Sequence, residues 1–296
     1  QRVEEAILGA YQALLEARIP FDMVHDHRLD EASLARFDTL ILPNIAALSE
    51  QQCGQIRSFV ERGGGVLATH ETSLYDEWGK RRTEFGLAGL FGVQFGGHVI
   101  ERQQNAYLRI VKPGHPLLAG LEGAKRMVHG AARVELKLSP PGECPLMTVP
   151  SYPDLPMEEV YVREGSPEHP GVFAREQGKG RVVYFPFDLD RTFWEVLHPD
   201  HGRLIENAVK WVSRDRSLLK VTGPGVVDVA IWKQQSSITV HVVNLTNPMM
   251  MRAPFREILP VGPQEVALEL PEGVKPKGVR FLVSGSTPQW TVTGRT

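Results

Sequence analysis

Apolar residues Val3, Ala6, Ile7, Ala10, Leu14 and Leu15 recur at the spacing of one helix face, and the pattern stops at Arg18-Ile19-Pro20, where proline disfavours helix in the residue before it. The spacing predicts an amphipathic helix over 2–17. Phe21-Asp22-Met23-Val24 then alternates as a short strand, and DTLILPN at 38–44 reads as a buried parallel strand running into a loop. Ser49 followed by Glu50-Gln51-Gln52 is a capping box: the hydroxyl meets the third helical N–H and the glutamine reaches back. A helix is therefore predicted over 50–62, closed by Gly63-Gly64-Gly65. The apolar run Val66-Leu67-Ala68-Thr69 follows and ends in His70-Glu71. Strand, helix, triglycine and strand make a parallel crossover, and in open α/β sheets the ligand crevice lies at the carboxyl ends of the strands. His70 and Glu71 fall there.

Further strands are predicted at 106–111, 133–138 and 171–176, with Gly178-Lys179-Gly180 as a hairpin turn into Arg181-Val182-Val183-Tyr184-Phe185-Pro186. A last helix over 200–213 carries Leu204, Ile205, Ala208, Val209 and Trp211 on its apolar face. Beyond Asp215 the character changes to short alternating strands, such as 226–232 and 238–244, separated by proline and glycine. These patterns give an α/β domain over 1–215 and a small antiparallel, β-sandwich-like domain over 216–296.

Length and composition agree with this: 296 residues are about twice a usual domain, and 42% hydrophobic with 23% charged residues is ordinary for a globular chain. A formal net charge of -2 gives no electrostatic reason for a nucleic-acid or anionic-membrane partner. No apolar run approaches the roughly 18 residues of a membrane span. Cys53 and Cys144 stand far apart without metal-ligand spacing, so neither a zinc site nor a disulfide framework is implied, and no cofactor is expected. The chain opens at Gln1 directly in a helical pattern. A processed, truncated or cloned fragment is the expectation, and a leader lost with the missing part would make export possible.

Three stretches resemble a known architecture: 40–79 (LILPNIAALSEQQCGQIRSFVERGGGVLATHETSLYDEWG), 178–211 (GKGRVVYFPFDLDRTFWEVLHPDHGRLIENAVKW) and 240–266 (VHVVNLTNPMMMRAPFREILPVGPQEV). They are similar to the β-galactosidase trimerisation-type domain that follows the catalytic barrel in some bacterial glycoside hydrolases. HPLLAG at 115–120 resembles amidotransferase-like proteins of the trehalose-utilisation type more loosely. The resemblance implies a flavodoxin-like, class I glutamine amidotransferase-like parallel sheet with helices on both faces. It also implies an accessory module that supports oligomerisation or carbohydrate presentation, with a homo-oligomer or a separate catalytic barrel as partner. Amidotransferases place a reactive cysteine on the turn after the strand corresponding to 66–69; here that turn carries His70-Glu71-Thr72-Ser73, so the covalent glutaminase chemistry has no nucleophile. The glycosidase carboxylates sit on a barrel of roughly 250 residues, so the resemblance implies an accessory part on its own. Such domains also open with a strand ahead of the helix placed at 2–17, so the expectation is a sheet rearranged or completed by a partner chain.

The candidate site gathers around the predicted crevice. Glu71, His70, Asp188 and Asp190 are the candidate catalytic residues, and Arg191, Trp194, Tyr75 and Trp78 the candidate substrate contacts. Glu71, Asp188 and Asp190 together offer oxygen ligands for a metal or a carboxylate pair for hydrolysis of a glycoside, ester or amide. The plainer alternative is that Arg191 forms its bidentate fork with one acid and the cluster only holds loops together. The aromatics suit sugar stacking or core packing. Asp200, beside His198 and His201, suits a first-turn or capping role better than a metal site. Met249-Met250-Met251 suits an interface, and the sequon Asn244-Leu245-Thr246 carries little weight.

Overall fold

A computed structural model describes residues 2–137, 142–149, 169–247, 257 and 259–296. It divides into two compact units, one of residues 1–14 and 22–216, the other of residues 15–21 and 217–296. The elements begin with α1 (Arg2–Glu16), α2 (Glu31–Leu34), β1 (Thr39–Leu42), α3 (Glu50–Glu61), β2 (Gly65–Thr69) and α4 (Ala88–Phe91). Then come β3 (Gln94–Ile100), β4 (Tyr107–Ile110), β5 (Arg126–Val128), β6 (Arg133–Lys137), β7 (Leu146–Val149) and β8 (His169–Pro170). The first unit closes with β9 (Phe173–Gln177), β10 (Gly180–Phe185), α5 (Leu189–Val196) and α6 (Pro199–Ser213).

The central sheet has the order β1-β2-β10-β9. β1, β2 and β10 run parallel, and β9 joins as an antiparallel strand through the Gly178-Lys179 hairpin, where Gly178 supplies a φ of 57°. All five residues of β2 are buried, which requires cover on both faces of the sheet. Side-chain alternation provides it. Val66, Ala68, Val182 and Tyr184 share one core cluster with Ile56, Phe59 and Val60 of α3. Gly65 and Leu67 face the other way, where α6 lies so close that a Cβ on Gly65 would collide with Val212. The parallel α/β architecture with flanking helices is thus the fold of this unit. Two smaller antiparallel sheets, β3-β6 and β5-β4-β7-β8, follow the second crossover strand.

Helix α3 begins at the expected capping box: Gln52 N–H donates to Ser49 Oγ at 3.1 Å, and Gln52 Oε1 accepts from Ser49 N–H at 2.8 Å. The strand expected at 21–24 is not formed. Those residues are irregular and lead into a 3₁₀ turn, Asp26–Arg28, with Met23 70% exposed and Asp22 paired to Arg36 at 2.5 Å. A strand needs a neighbour, and among the described residues β1 is the outermost strand on that side. Thr39 Oγ1, on β1, is buried without a hydrogen-bond partner.

In the second unit, β11 (Leu219–Thr222) pairs antiparallel with β14 (Glu265–Leu268), and β12 (Val227–Lys233) with β13 (Ile238–Asn244). Leu219, Val221, Val227 and Val229 form its small core. Residues 15–21 belong to this unit: the Arg18 guanidinium donates to Gln264 Oε1 at 3.0 Å and to Gly225 O at 2.8 Å. Met249–Met251 lie outside the described residues.

Candidate functional site

β2 delivers Thr69 to the carboxyl edge of the sheet, and the chain turns there sharply. His70 has φ 49° and Ser73 φ 67°, conformations that cost a non-glycine residue energy and persist only where the surroundings impose them. His70 N–H donates to Phe185 O at 2.7 Å, and the buried Tyr184 hydroxyl donates to His70 O at 2.6 Å. Thr72 Oγ1 donates to Thr69 O at 2.7 Å and closes the turn. Thus β10 and the turn hold the backbone of His70.

On the turn, Glu71 accepts from the Tyr75 hydroxyl at 3.0 Å and lies 3.8 Å from His70 Nδ1. Burial, and then the negative charge of Glu71, raise the Tyr75 pKa, so the phenol stays a donor. Opposite them stands the first turn of α5. Asp188 accepts from Arg191 Nε at 2.8 Å and from Ala132 N–H at 2.9 Å, while Arg191 also meets Glu195 at 2.5 Å. Burial pushes the Asp188 pKa up, and the Ala132 amide and Arg191 pull it back. Gly130 is needed beside it, because a Cβ there would collide with Asp188 Oδ1.

Asp190 is fully enclosed, and burial raises its pKa to about 7. It accepts from Thr69 Oγ1 at 2.6 Å and from Arg191 N–H at 2.8 Å. Thr69 Oγ1 in turn accepts from Asn44 N–H at 2.8 Å, and Asn44 Oδ1 accepts from Glu71 N–H at 3.1 Å. A chain of hydrogen bonds therefore runs from the Glu71 backbone through Asn44 and Thr69 to Asp190. Asn44 itself has φ 48°, which asparagine tolerates better than most residues.

The structure therefore brings the sequence-derived residues together in two groups rather than one. His70, Glu71 and Tyr75 share the turn after β2; Asp188, Asp190 and Arg191 share the start of α5. Glu71, Asp188 and Asp190 do not approach as a ligand set. Among the described residues, the group with three ligand atoms within 4.8 Å of one another is His25, Asp26 and His27, all exposed. Trp194 is half-buried on α5, and Trp78 is 88% exposed on a turn where its N–H donates to Asp76. His198, rather than Asp200, caps α6 by accepting from Asp200 N–H at 3.3 Å, and His201 donates to Val128 O at 2.8 Å. Asp200 takes its place in the first turn.

Asn44 and Thr69 were not singled out by sequence reasoning; the available signal was their position as the last polar residues at the ends of adjacent parallel strands. His129 was missed as well. It is buried against Phe187, with ring centroids 4.6 Å apart, and its Nδ1 lies 3.0 Å from Gln103 Nε2. Burial lowers its pKa to about 4, so it is a neutral imidazole at pH 7. Cys53 and Cys144 are free, and burial raises both thiols away from the reactive thiolate.

The family model named ThuA, trehalose utilisation, matches residues 1–212. The chain belongs to the ThuA family. HPLLAG at 115–120 lies within the matched span. No curated protein matches the chain in sequence. Among solved structures, it is similar to α-L-fucosidase isoenzyme 2 from Paenibacillus thiaminolyticus, with a TM-score of 0.73 and 20% identity over 98% of this chain and 42% of that one. The β-galactosidase of Bacillus circulans sp. alkalophilus aligns with a TM-score of 0.61 and 14% identity over 82% of this chain and 31% of that one. A cold-adapted β-galactosidase from Rahnella sp. R3 gives a TM-score of 0.60 and 18% identity over 81% and 32%. The ThuA chain thus spans about a third of these β-galactosidases and less than half of the fucosidase. At these identities the likeness shows a shared fold, the class I amidotransferase-like one. The family ties the chain to carbohydrate utilisation. No helix among the described residues is long and apolar enough to cross a membrane.

Proposed function

We propose that this ThuA-family chain is a non-catalytic accessory module for carbohydrate processing, supporting assembly of, or substrate presentation to, a glycoside hydrolase. The observation that carries this reading is the engagement of the crevice acids. Asp188 is locked in a buried fork with Arg191, and Asp190 is enclosed against Thr69. A general acid or nucleophile has to reach its substrate, and neither carboxylate faces open space. The turn that would hold a thiolate nucleophile holds His70 and Glu71 instead.

Size-exclusion chromatography with light scattering tests the assembly arm, and a strict monomer at high concentration would count against it. Pull-down of a glycoside hydrolase barrel, together with oligosaccharide titration, tests the presentation arm.

A second reading is favoured by a separate observation. The strained His70 backbone places an imidazole beside Glu71, whose other oxygen takes the Tyr75 hydroxyl, a pairing suited to proton transfer in a small hydrolase of glycosides, esters or amides. A broad substrate screen with Glu71→Gln and Asp188→Asn separates the two readings. Turnover lost in Glu71→Gln supports hydrolysis, and absence of turnover in the wild type supports the accessory role.

A further inference from the structure

Consecutive residues His25, Asp26 and His27 each bring a ligand-type atom to within 4.8 Å of the other two, on exposed side chains away from the crevice. Local structure uses only part of them. His25 precedes the 3₁₀ turn Asp26–Arg28 and caps it, its Nδ1 accepting from His27 N–H at 3.3 Å. Two other elements start the same way: His115 caps the 3₁₀ turn Pro116–Leu118 and His198 caps α6, each accepting through Nδ1 from the amide two residues on. Capping therefore accounts for a histidine at 25. It gives no role to the Asp26 carboxylate or to the His27 ring.

The distances inside the group point to a cation. A cap that accepts through Nδ1 leaves that nitrogen with its lone pair, and Asp26 Oδ1 lies 2.6 Å from it. Two electron-pair donors so close repel unless they share a positive charge. A proton on His25 Nδ1 answers this for one ring, at the loss of the cap. It leaves the second imidazole, whose Nδ1 stands 3.8 Å from the same carboxylate oxygen and whose ring centroid is 4.9 Å from that of His25. One oxygen flanked by two imidazole nitrogens is a three-donor set, and a single metal ion satisfies all three.

The backbone beneath the group is held. Gln52, from the capping box of α3, donates through Nε2 to Asp26 O at 3.2 Å, and Arg28 N–H donates to His25 O at 2.8 Å. Leu29, the next residue, is buried in the core cluster that α3 shares with the sheet. The three side chains remain able to adjust. Donors about 2.0 Å from a zinc ion stand roughly 3 Å apart, so separations of 2.6 Å and 3.8 Å close on an ion by rotation about exposed side-chain bonds.

We infer that His25, Asp26 and His27 bind a divalent first-row transition-metal ion of the zinc type. Two imidazoles and a carboxylate are donors that such ions accept, whereas magnesium and calcium take oxygen ligands. Three protein donors leave at least one coordination position to water or to a donor on another molecule. The inference goes beyond the accessory reading and stands independently of it, because the crevice supplies none of the ligands.

Isothermal titration calorimetry of the full, chelator-treated chain with zinc chloride tests it. One zinc ion per chain is expected to bind saturably, with nickel chloride behaving likewise and magnesium chloride giving no binding. His27→Ala removes a ligand but keeps the cap, which uses only the His27 backbone. It should weaken zinc binding at least about tenfold, since even the outer partners of a metal site cost that much. His25→Ala/His27→Ala should abolish the binding, and His241→Ala, at an exposed histidine of β13, should leave it unchanged. In amide NMR spectra, zinc should shift residues 25–28 and Gln52 and spare the crevice. Absence of saturable zinc binding, equal binding of magnesium, or wild-type zinc affinity in the double variant would overturn the inference.

Discussion

Thr69 Oγ1 donates to Asp190 Oδ2 at 2.6 Å, a buried hydrogen bond between residues 121 apart that ties the end of β2 to the first turn of α5. Because Thr69 also accepts from Asn44, the bond links the ends of β1 and β2 with the helix that carries the crevice acids. The crevice is held by this polar link and not by apolar packing alone.

The Asp190 carboxyl makes stability pH-dependent. Burial raises its pKa from 3.8 to about 7, so the folded chain binds a proton that the unfolded chain has released across that window. Its contribution is full below the unfolded value and is lost as pH rises through about 7. Urea denaturation should show a fall of at most about 1.4 kcal/mol per pH unit within that window from this group. Asp190→Asn should flatten the slope, and a slope unaltered by the substitution would argue against a buried titrating acid.

His129 acts in the opposite sense. Its pKa falls from 6.5 to about 4 on burial, so its contribution is present above 6.5 and is lost as pH drops through that window. NMR titration of the ring should report a neutral imidazole down to about pH 4. A midpoint near 6.5 would contradict the enclosure described.

Arg191 closes a nearly buried ion pair, and its removal leaves buried Asp188 with the Ala132 amide but without its cation. Arg191→Ala should cost about 3–5 kcal/mol in chemical denaturation, the range for breaking a buried pair. Asp188→Asn keeps an acceptor for the Ala132 amide and should cost less.

Two glycines give a paired test. A Cβ on Gly9 of α1 would collide with the Asp190 carbonyl, whereas one on Gly54 of α3 would meet nothing within 4 Å. Gly9→Ala should destabilise by about 1–3 kcal/mol through overpacking. Gly54→Ala should stabilise by roughly 0.5–1 kcal/mol through reduced chain entropy. Equal melting shifts in the two variants would mean that α1 does not seat on Asp190.

The architecture was legible where local signals and burial agree. The capping box at Ser49, the triglycine and the apolar run of β2 identify the crossover, because each acts within a few residues of itself. Phe21–Val24 shows the limit: alternation describes a strand's side chains but not the neighbour that must accept its backbone. The candidate site was legible in composition and not in geometry. His70, Glu71, Asp188 and Asp190 follow strands that do pair with neighbours in one sheet. Their grouping is decided by Thr69 and Asn44, whose roles depend on the register of β1 against β2. Arg191 reaching back to Asp188 on the same helix turn is a local feature, and the sequence offered it as the plainer alternative.

Arg18 carries a last consequence. Its bonds to Gln264 and Gly225 make residues 15–21 part of the C-terminal unit, although 22–216 return to the first. The chain therefore passes between the units three times, and no single cut yields both intact. A cassette beginning at Ser217 leaves behind a segment that its own loops hold. Grafting the C-terminal unit onto another protein therefore requires a second peptide supplied in trans, or a circular permutant that rejoins the two pieces.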